Sequence, residues 1–171
     1  MSLIQQGKSE FSIEKMTRVI LIFAIIGTTG ALVYVTTRPV ESDILFFVLN
    51  QDQALRDYPT NATVGENFTI YAYIENILGF AAEFAVRIYW SDTNLTVIPE
   101  TGVWGDPLAH YWGNYTKLLQ NNEFWTTAPI SLFFSTAGPN HMIFLELWQY
   151  YGGEWHYCSD YLLFLRLEIF D

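Results

Sequence analysis

The pattern in this sequence that comes nearest to a metal site consists of Glu154, His156 and Cys158. On a β-strand, residues at i, i+2 and i+4 share one face, so a carboxylate, an imidazole and a thiol would line up there. Such groups are ligands for zinc or copper. Alternate residues of a strand are about 7 Å apart, however, which is too far for three of them to converge on one ion. We therefore predict no metal site and keep these three residues as weak candidates.

Catalytic patterns are missing from the sequence. His110 and His141 are isolated from one another, and no G-x-S-x-G element or Cys-His signature occurs. The acidic residues are scattered, and no two of them stand out as the carboxylate pair of a glycosidase. We predict that the chain is not an enzyme and that it needs no cofactor.

Composition and charge limit the kind of domain and the kind of partner that can be expected. The chain has 171 residues, 51% of them hydrophobic, which is enough for one domain with a substantial core. Its net charge is −10, with eight basic residues in all, so nucleic acid is not an expected partner. The single cysteine cannot form an internal disulfide, so cysteine usage does not distinguish an oxidising compartment from a reducing one.

An apolar run near the N-terminus predicts a membrane helix. The segment VILIFAIIGTTGALVYV, residues 19–35, contains no charge and lies between Arg18 and Arg38. With its flanking threonines it spans about 30 Å as a helix, the thickness of the hydrocarbon layer. A cleaved signal peptide is the competing interpretation, but its apolar core is usually shorter, and Val33-Tyr34-Val35 is a poor cleavage site. We expect a retained transmembrane helix over residues 19–37.

Basic residues predict the orientation of this helix. Lys8, Lys15 and Arg18 precede it, whereas the chain beyond Arg38 carries four bases against sixteen acids. The positive-inside rule therefore places residues 1–18 in the cytoplasm and residues 38–171 outside the cell membrane. The expected protein is single-pass, with the lipid bilayer around residues 19–37 and an acidic exported domain. Gly27 and Ala31, spaced by four, would let a second helix approach, although small residues are common in membrane helices in any case.

Beyond Pro39 the pattern changes to period-two alternation, which is typical of half-buried strands. Residues 67–76 and 83–91 alternate most clearly, and we expect them to pair as a hairpin through Gly79. Five further strands are predicted at residues 43–49, 130–135, 142–150, 154–158 and 162–170, with a hairpin turn at Gly152-Gly153. Seven short strands predict an all-β, Ig-like β-sandwich ectodomain.

Residues 93–127 are the exception, because they are rich in Gly, Pro, Asn and Trp without clear alternation. A connection of this length usually carries a function or hides regular structure. Trp104 and Trp112 could contribute to a glycan- or solute-binding surface. The alternative is that the aromatic side chains of this segment cap the open end of the sandwich.

Four Asn-x-Thr sequons lie in the part predicted to be exported. Their acceptor residues are Asn61, Asn67, Asn94 and Asn114. Chance predicts about one such motif in a chain of this composition, so the number is a modest excess. We expect possible N-glycans at these positions, since acceptors must face solvent outside the membrane.

The stretch DILFFVLNQDQALRDYPTNATVGENFTIYAYIEN, residues 43–76, resembles a known family. It is similar to the outer domain of archaeal membrane proteins of the domain of unknown function 1616 family, whose YPTN-T-GE segment matches Tyr58 to Glu66. The resemblance covers about half of the chain and implies an archaeal source, an extracellular Ig-like sandwich and no assigned activity. Relatives often have several membrane helices where this chain has one. By its residue types, the motif predicts a turn at Pro59 and Gly65 that leads into a strand.

These observations predict an accessory or structural subunit, anchored in the membrane, that docks on another membrane or envelope protein. Tyr71, Tyr73 and Tyr89 would give the strand faces an apolar outer surface of the kind that interfaces use. Glycan or solute binding through Trp104 and Trp112 is the first alternative. Metal binding through the three weak candidates is the second.

Overall fold

The computed structural model describes residues 13–37, 43–95, 98 and 101–171, with backbone alone for 13–15 and 31–37. The chain divides into two compact units, Met1–Val40 and Glu41–Asp171. The first unit contains one helix and the second contains the strands.

The helix α1 runs from Ile13 to Thr37 and includes the whole predicted segment 19–37. Its apolar side chains from Val19 to Ile26 are exposed on every side of the helix. Thr28 donates its hydroxyl hydrogen bond to the carbonyls of Ala24 and Ile25, at 2.8 and 3.0 Å, so this polar group is satisfied within the helix. No helix in the described residues has both the length and the apolarity to cross a membrane.

Nine strands are formed by the described residues, and they make two sheets. The smaller sheet contains β1 (Asp43–Leu49), β3 (Phe68–Ile77), β6 (Phe124–Thr126) and β7 (Ile130–Leu132), with β3 paired to the other three. The larger sheet has the order β2 (Asn61–Thr63), β9 (Glu154–Phe170), β8 (Gly138–Tyr151), β4 (Ala82–Ser91) and β5 (His110–Leu119). All pairs are antiparallel except β2 with β9.

The main core lies between the two sheets. Ile70 and Ile74 of β3 share one hydrophobic cluster with Val86 of β4 and Leu145 of β8, and all four are fully buried. Facing side chains from two sheets that interdigitate in this way make a β-sandwich. The all-β prediction is therefore confirmed for the second unit.

The predicted hairpin between residues 67–76 and 83–91 is wrong. Both strands exist and their inward faces are as expected, but β3 and β4 belong to different sheets. Asn76 fixes the crossing, because its buried Nδ2 group donates to the carbonyls of Phe80 and Leu119 at 2.8 and 3.0 Å. Its Oδ1 accepts the Leu78 amide. The intervening residues thus form a corner between sheets, with Gly79 at φ +87°.

Residues 93–127 are not an unstructured connection, since they contain β5 and β6. The β5 strand lies at the edge of the larger sheet and is mostly exposed, so it lacks the alternation that would have revealed it. Two other predicted strands, 154–158 and 162–170, are one continuous strand, β9. The predicted Gly152-Gly153 hairpin turn is confirmed, with φ of +63° and +92°.

Leu95 and residues 101–107, which we call the covering segment, lie over the outer face of the larger sheet. Leu95 and Val103 pack with Tyr89, Met142 and Phe144 in a second, smaller hydrophobic cluster. The central strand β8 is therefore buried on both faces.

The predicted turn in the Tyr58 to Glu66 motif is confirmed at Gly65, where the Glu66 amide donates to the Thr63 carbonyl, but not at Pro59, which precedes β2. Gly65 has φ +77°, a conformation that favours glycine. The Glu66 carboxylate accepts the Thr63 amide and hydroxyl at 2.8 and 2.7 Å, and the Tyr58 hydroxyl donates to the Val48 carbonyl at 2.7 Å. The motif has a structural role, which explains its residue types without a chemical one.

Candidate functional site

A row of aromatic rings crosses the outer face of the smaller sheet. Phe47 lies directly opposite Tyr73 in the β1–β3 pair, and their rings stack with centroids 6.2 Å apart. Tyr73 stacks in turn on Phe124 of β6 at 5.9 Å. Phe124 is 65% exposed. Three strands thus present one continuous apolar strip to solvent.

Next to this row lies a groove of about 480 Å³, lined by Leu45, Phe47, Tyr73 and Leu55 among others. Leu55 comes from the β1–β2 connection and is itself exposed. We call Leu45, Phe47, Leu55, Tyr73 and Phe124 the outer aromatic face. Exposed apolar groups that are contiguous in this way are typical of interaction surfaces, whereas scattered ones are not.

The three tyrosines predicted for docking have different positions. Tyr73 lies in the centre of the outer aromatic face, and Tyr71 lies two residues away on the same strand, opposite Leu49. Tyr89 is only 6% exposed, so its predicted place on a docking surface is wrong. It faces outward from the larger sheet, but the segment containing Leu95 and Val103 covers it.

Trp104 and Trp112 do not share a site. Trp112 lies on β5, where its ring meets Phe133 edge to face at 5.9 Å. Trp104 lies in the covering segment, and its ring meets Trp148 of β8 at 5.9 Å and 77°. The predicted glycan- or solute-binding pair is therefore divided between two surfaces.

Glu146 of β8 is a functional candidate that the sequence reasoning missed. Its side chain is fully buried on the outer face of the larger sheet. One carboxylate oxygen accepts the amides of Val103 and Trp104 at 2.5 and 3.2 Å, and the other accepts the Trp148 indole N–H at 3.0 Å. Burial raises the pKa of Glu146, while these hydrogen bonds and Arg87 act in the opposite direction. The available signal was an acid at a position where β8 is otherwise apolar.

The weak metal candidates lie on β9 without forming a centre. Cys158 packs against the main core and its thiol contacts the His156 carbonyl at 3.9 Å. Burial raises the pKa of the Cys158 thiol to about 11. The His156 ring stacks on Tyr151 at 3.7 Å, and Glu154 is exposed. No group of three potential metal ligands is found in the part of the chain that the structure describes.

The four predicted acceptor asparagines are all exposed. Asn61 lies in β2, Asn67 directly precedes β3, and Asn114 lies in β5. Asn94 accepts a hydrogen bond from Arg166 at 2.9 Å through Oδ1, which leaves its Nδ2 group outside that contact. In the helix, an added Cβ at Gly27 would meet no described atom within 4 Å, and the side chain of Ala31 lies outside the described residues.

No protein-family model matches this chain, and no curated protein matches it. The resemblance to the domain of unknown function 1616 family stays a prediction.

Solved structures show a likeness of fold. A β-glucosidase from Listeria innocua, in complex with glucose, matches with a TM-score of 0.51 and 14% identity. The match covers 77% of this chain but only 16% of the enzyme's chain. The CARDB domain of the PF1109 protein from Pyrococcus furiosus, in complex with di-metal ions, has a TM-score of 0.49 and 11% identity over 78% of this chain and 93% of that one. At such identities the likeness to the β-glucosidase segment concerns the fold alone.

Proposed function

We propose that this protein is a single-pass membrane protein whose exported, Ig-like β-sandwich docks on another membrane or envelope protein. The observation that carries the proposal is the outer aromatic face, where Phe47, Tyr73 and Phe124 stack in a row whose two end rings are exposed and whose middle ring is half-buried. Aromatic residues are enriched where partners bind, because each ring buries a large apolar area with few rotatable bonds.

The properties of α1 support the anchor. An exposed helix that is apolar all round needs an apolar environment, and Val19 to Ile26 have this character. The structure describes the side chains of α1 from residue 16 to residue 30, and the uncharged run of the sequence continues beyond them to Val35. At about 1.5 Å per residue, the uncharged residues 19–37 of α1 span about 28 Å, close to the hydrocarbon thickness of about 30 Å.

Charge supports an orientation and indicates the kind of partner. Three bases precede the apolar run, which favours a cytoplasmic N-terminus. Beyond Arg38 the four bases and sixteen acids give a net charge of −12, which is 4 minus 16. A partner with an apolar patch and a basic rim would match this surface, since complementary potentials assist association.

Co-purification of full-length variants tests the docking surface. Phe124→Glu places a charge in the outer aromatic face, whereas Phe164→Glu changes a comparably exposed ring on β9 of the other sheet. In mild detergent, a native partner should remain with wild type and Phe164→Glu. Recovery with Phe124→Glu should fall at least about tenfold, since an aromatic residue that anchors an interface is commonly worth about 2 kcal/mol or more.

Circular dichroism of each variant controls for folding. Equal recovery of partners with both variants would contradict the proposal. The proposal would also be contradicted if the only partner recovered were a second copy of this protein, because the proposed partner is a different protein.

A further inference from the structure

A second concave surface lies on the opposite sheet, away from the outer aromatic face. It is an open cleft of about 750 Å³ between the covering segment and the β8–β9 hairpin. Side chains that matter for its chemistry are Trp104, Asp106, Trp148, Trp155, His156 and Tyr157. Such a volume is sufficient for a small organic ligand. The cleft does not depend on the proposed docking function.

One wall of the cleft is held firmly in place. Glu146 accepts the backbone amides of Val103 and Trp104, so the chain around these residues is fixed against β8. Gly102 has φ +65°, and a Cβ there would lie 2.3 Å from the Glu146 carboxylate, so the close approach requires glycine. Trp104 is nevertheless 57% exposed. The result is an immobilised backbone that presents an open indole ring, which reduces the entropy lost on binding.

The lining disfavours anions and an aromatic cage for a cation. Among the residues that the structure describes, neither lysine nor arginine lines the cleft, so phosphate and carboxylate ligands would find no permanent positive charge there. The guanidinium of Arg87 already lies 3.7 Å from the Trp148 ring centroid, and His156 is stacked on Tyr151. These two rings therefore have occupied faces, whereas a caged ammonium group needs several open ones. Trp155 and Tyr157 are half-buried and contact the rings of Tyr150 and Trp148, with centroids 5.3 and 5.6 Å apart. Trp104 is therefore the exposed ring of the lining, with polar groups beside it.

We propose that the cleft binds a neutral carbohydrate. A sugar ring has an apolar face of C–H groups that can pack on the exposed indole of Trp104, while its hydroxyls need hydrogen-bond partners at the rim. Asp106 and Thr101 supply such groups, and Asp106 uses one carboxylate oxygen for the Leu108 amide. A few polar groups beside an aromatic wall are the usual arrangement for recognising an amphipathic ligand.

Isothermal titration of the full-length protein tests this assignment. The detergent must be a polyoxyethylene ether, because glycoside detergents would compete for the cleft and choline-like headgroups would act as cationic ligands. The probes are maltotriose, cellotriose, mannotriose and tri-N-acetylchitotriose, with tetramethylammonium chloride as the cationic comparison. We expect at least one trisaccharide to bind and tetramethylammonium not to bind.

Variants locate the binding. Trp104→Ala should weaken trisaccharide binding about tenfold, as loss of a favourable aromatic contact does. Trp112→Ala, an exposed tryptophan outside the cleft, should leave binding unchanged. Asp106→Asn keeps an acceptor without the charge, so a neutral sugar should retain its affinity within about threefold, whereas a cation would lose it.

Three results would overturn the proposal. These are an absence of binding by all four trisaccharides, sugar binding that survives Trp104→Ala, and binding of tetramethylammonium that depends on Trp104. Thermal melting curves of the two tryptophan variants show whether a lost signal reflects the cleft or unfolding. Trp104→Phe, which retains an aromatic ring, should keep part of the affinity.

Discussion

Glu146 shows at the scale of one residue how the structure uses a buried carboxyl group. Three N–H donors converge on it from Val103, Trp104 and Trp148. Truncation by Glu146→Ala leaves these donors without their acceptor in a buried place. We expect a loss of about 1–3 kcal/mol in the free energy of unfolding, measured by urea denaturation. An effect below about 0.5 kcal/mol would show that the carboxyl group does not secure the covering segment.

The same residue predicts a pH dependence. Since burial raises its pKa in the folded state, the unfolded chain releases the proton at a lower pH than the folded chain does. Stability from this group is therefore complete below the unfolded pKa and decreases as the pH rises through the folded pKa. Urea denaturation of wild type and Glu146→Gln at several pH values isolates this contribution. The stability of wild type relative to the variant should decrease from acid to neutral pH, and a constant difference would contradict the prediction.

Cys158 gives a prediction about reactivity. The thiolate is the reactive form, and a pKa of about 11 leaves on the order of one thiol in a thousand ionised at pH 8. Iodoacetamide should label the native protein far more slowly than the protein in urea. Rapid native labelling at pH 8 would show that the thiol is neither buried nor protonated as described.

At the level of secondary structure elements, Asn76 stabilises the corner between β3 and β4. Asn76→Ala removes contacts to the carbonyls of Phe80 and Leu119 and to the Leu78 amide. We expect a loss of about 1–3 kcal/mol in the free energy of unfolding. Asn121→Ala is the matched control, since that exposed side chain accepts one hydrogen bond, from Gly79. Equal losses in the two variants would mean that Asn76 has no special role at the corner.

Elements with a strong pattern could be predicted from the sequence, and their partners could not. The bounds of β1 agree with prediction, and β3 alternates as expected, because each buries one face against the core. Alternation does not reveal which strand lies beside which, so β3 and β4 were wrongly paired. Asn76 at the end of β3 was the available clue, as a polar residue on the inward face.

The other wrong predictions concern a strand at the edge of a sheet and a strand that is covered on both faces. β5 lies at the edge and is exposed along most of its length, so its sequence has no apolar face to detect. Tyr89 points away from the main core, and only tertiary structure shows that Val103 and Leu95 cover it. The cleft could not be predicted from the sequence either, because its walls come from segments that are distant along the chain, Trp104 and the β8–β9 hairpin.

For the whole molecule, the proposed export of residues 38–171 predicts glycosylation. The acceptor residues Asn61, Asn67, Asn94 and Asn114 are exposed, so an enzyme outside the membrane could reach them. Asn61 and Asn94 are the strongest candidates. Mass spectrometry of protein from a host that glycosylates its exported proteins should find glycan mass on at least one of the four. Complete absence in such a host, with other exported proteins modified, would argue against export of residues 38–171.

Photo-crosslinking in intact cells tests the docking proposal, because a crosslink forms only if the domain is exported and docks in its native membrane. p-Benzoylphenylalanine is introduced at position 124 in the outer aromatic face or at position 164 on β9, both of which are exposed phenylalanines. We expect a discrete crosslink to another membrane or envelope protein from position 124 and a much weaker one from position 164. No crosslink from position 124, or the same products from both positions, would contradict it.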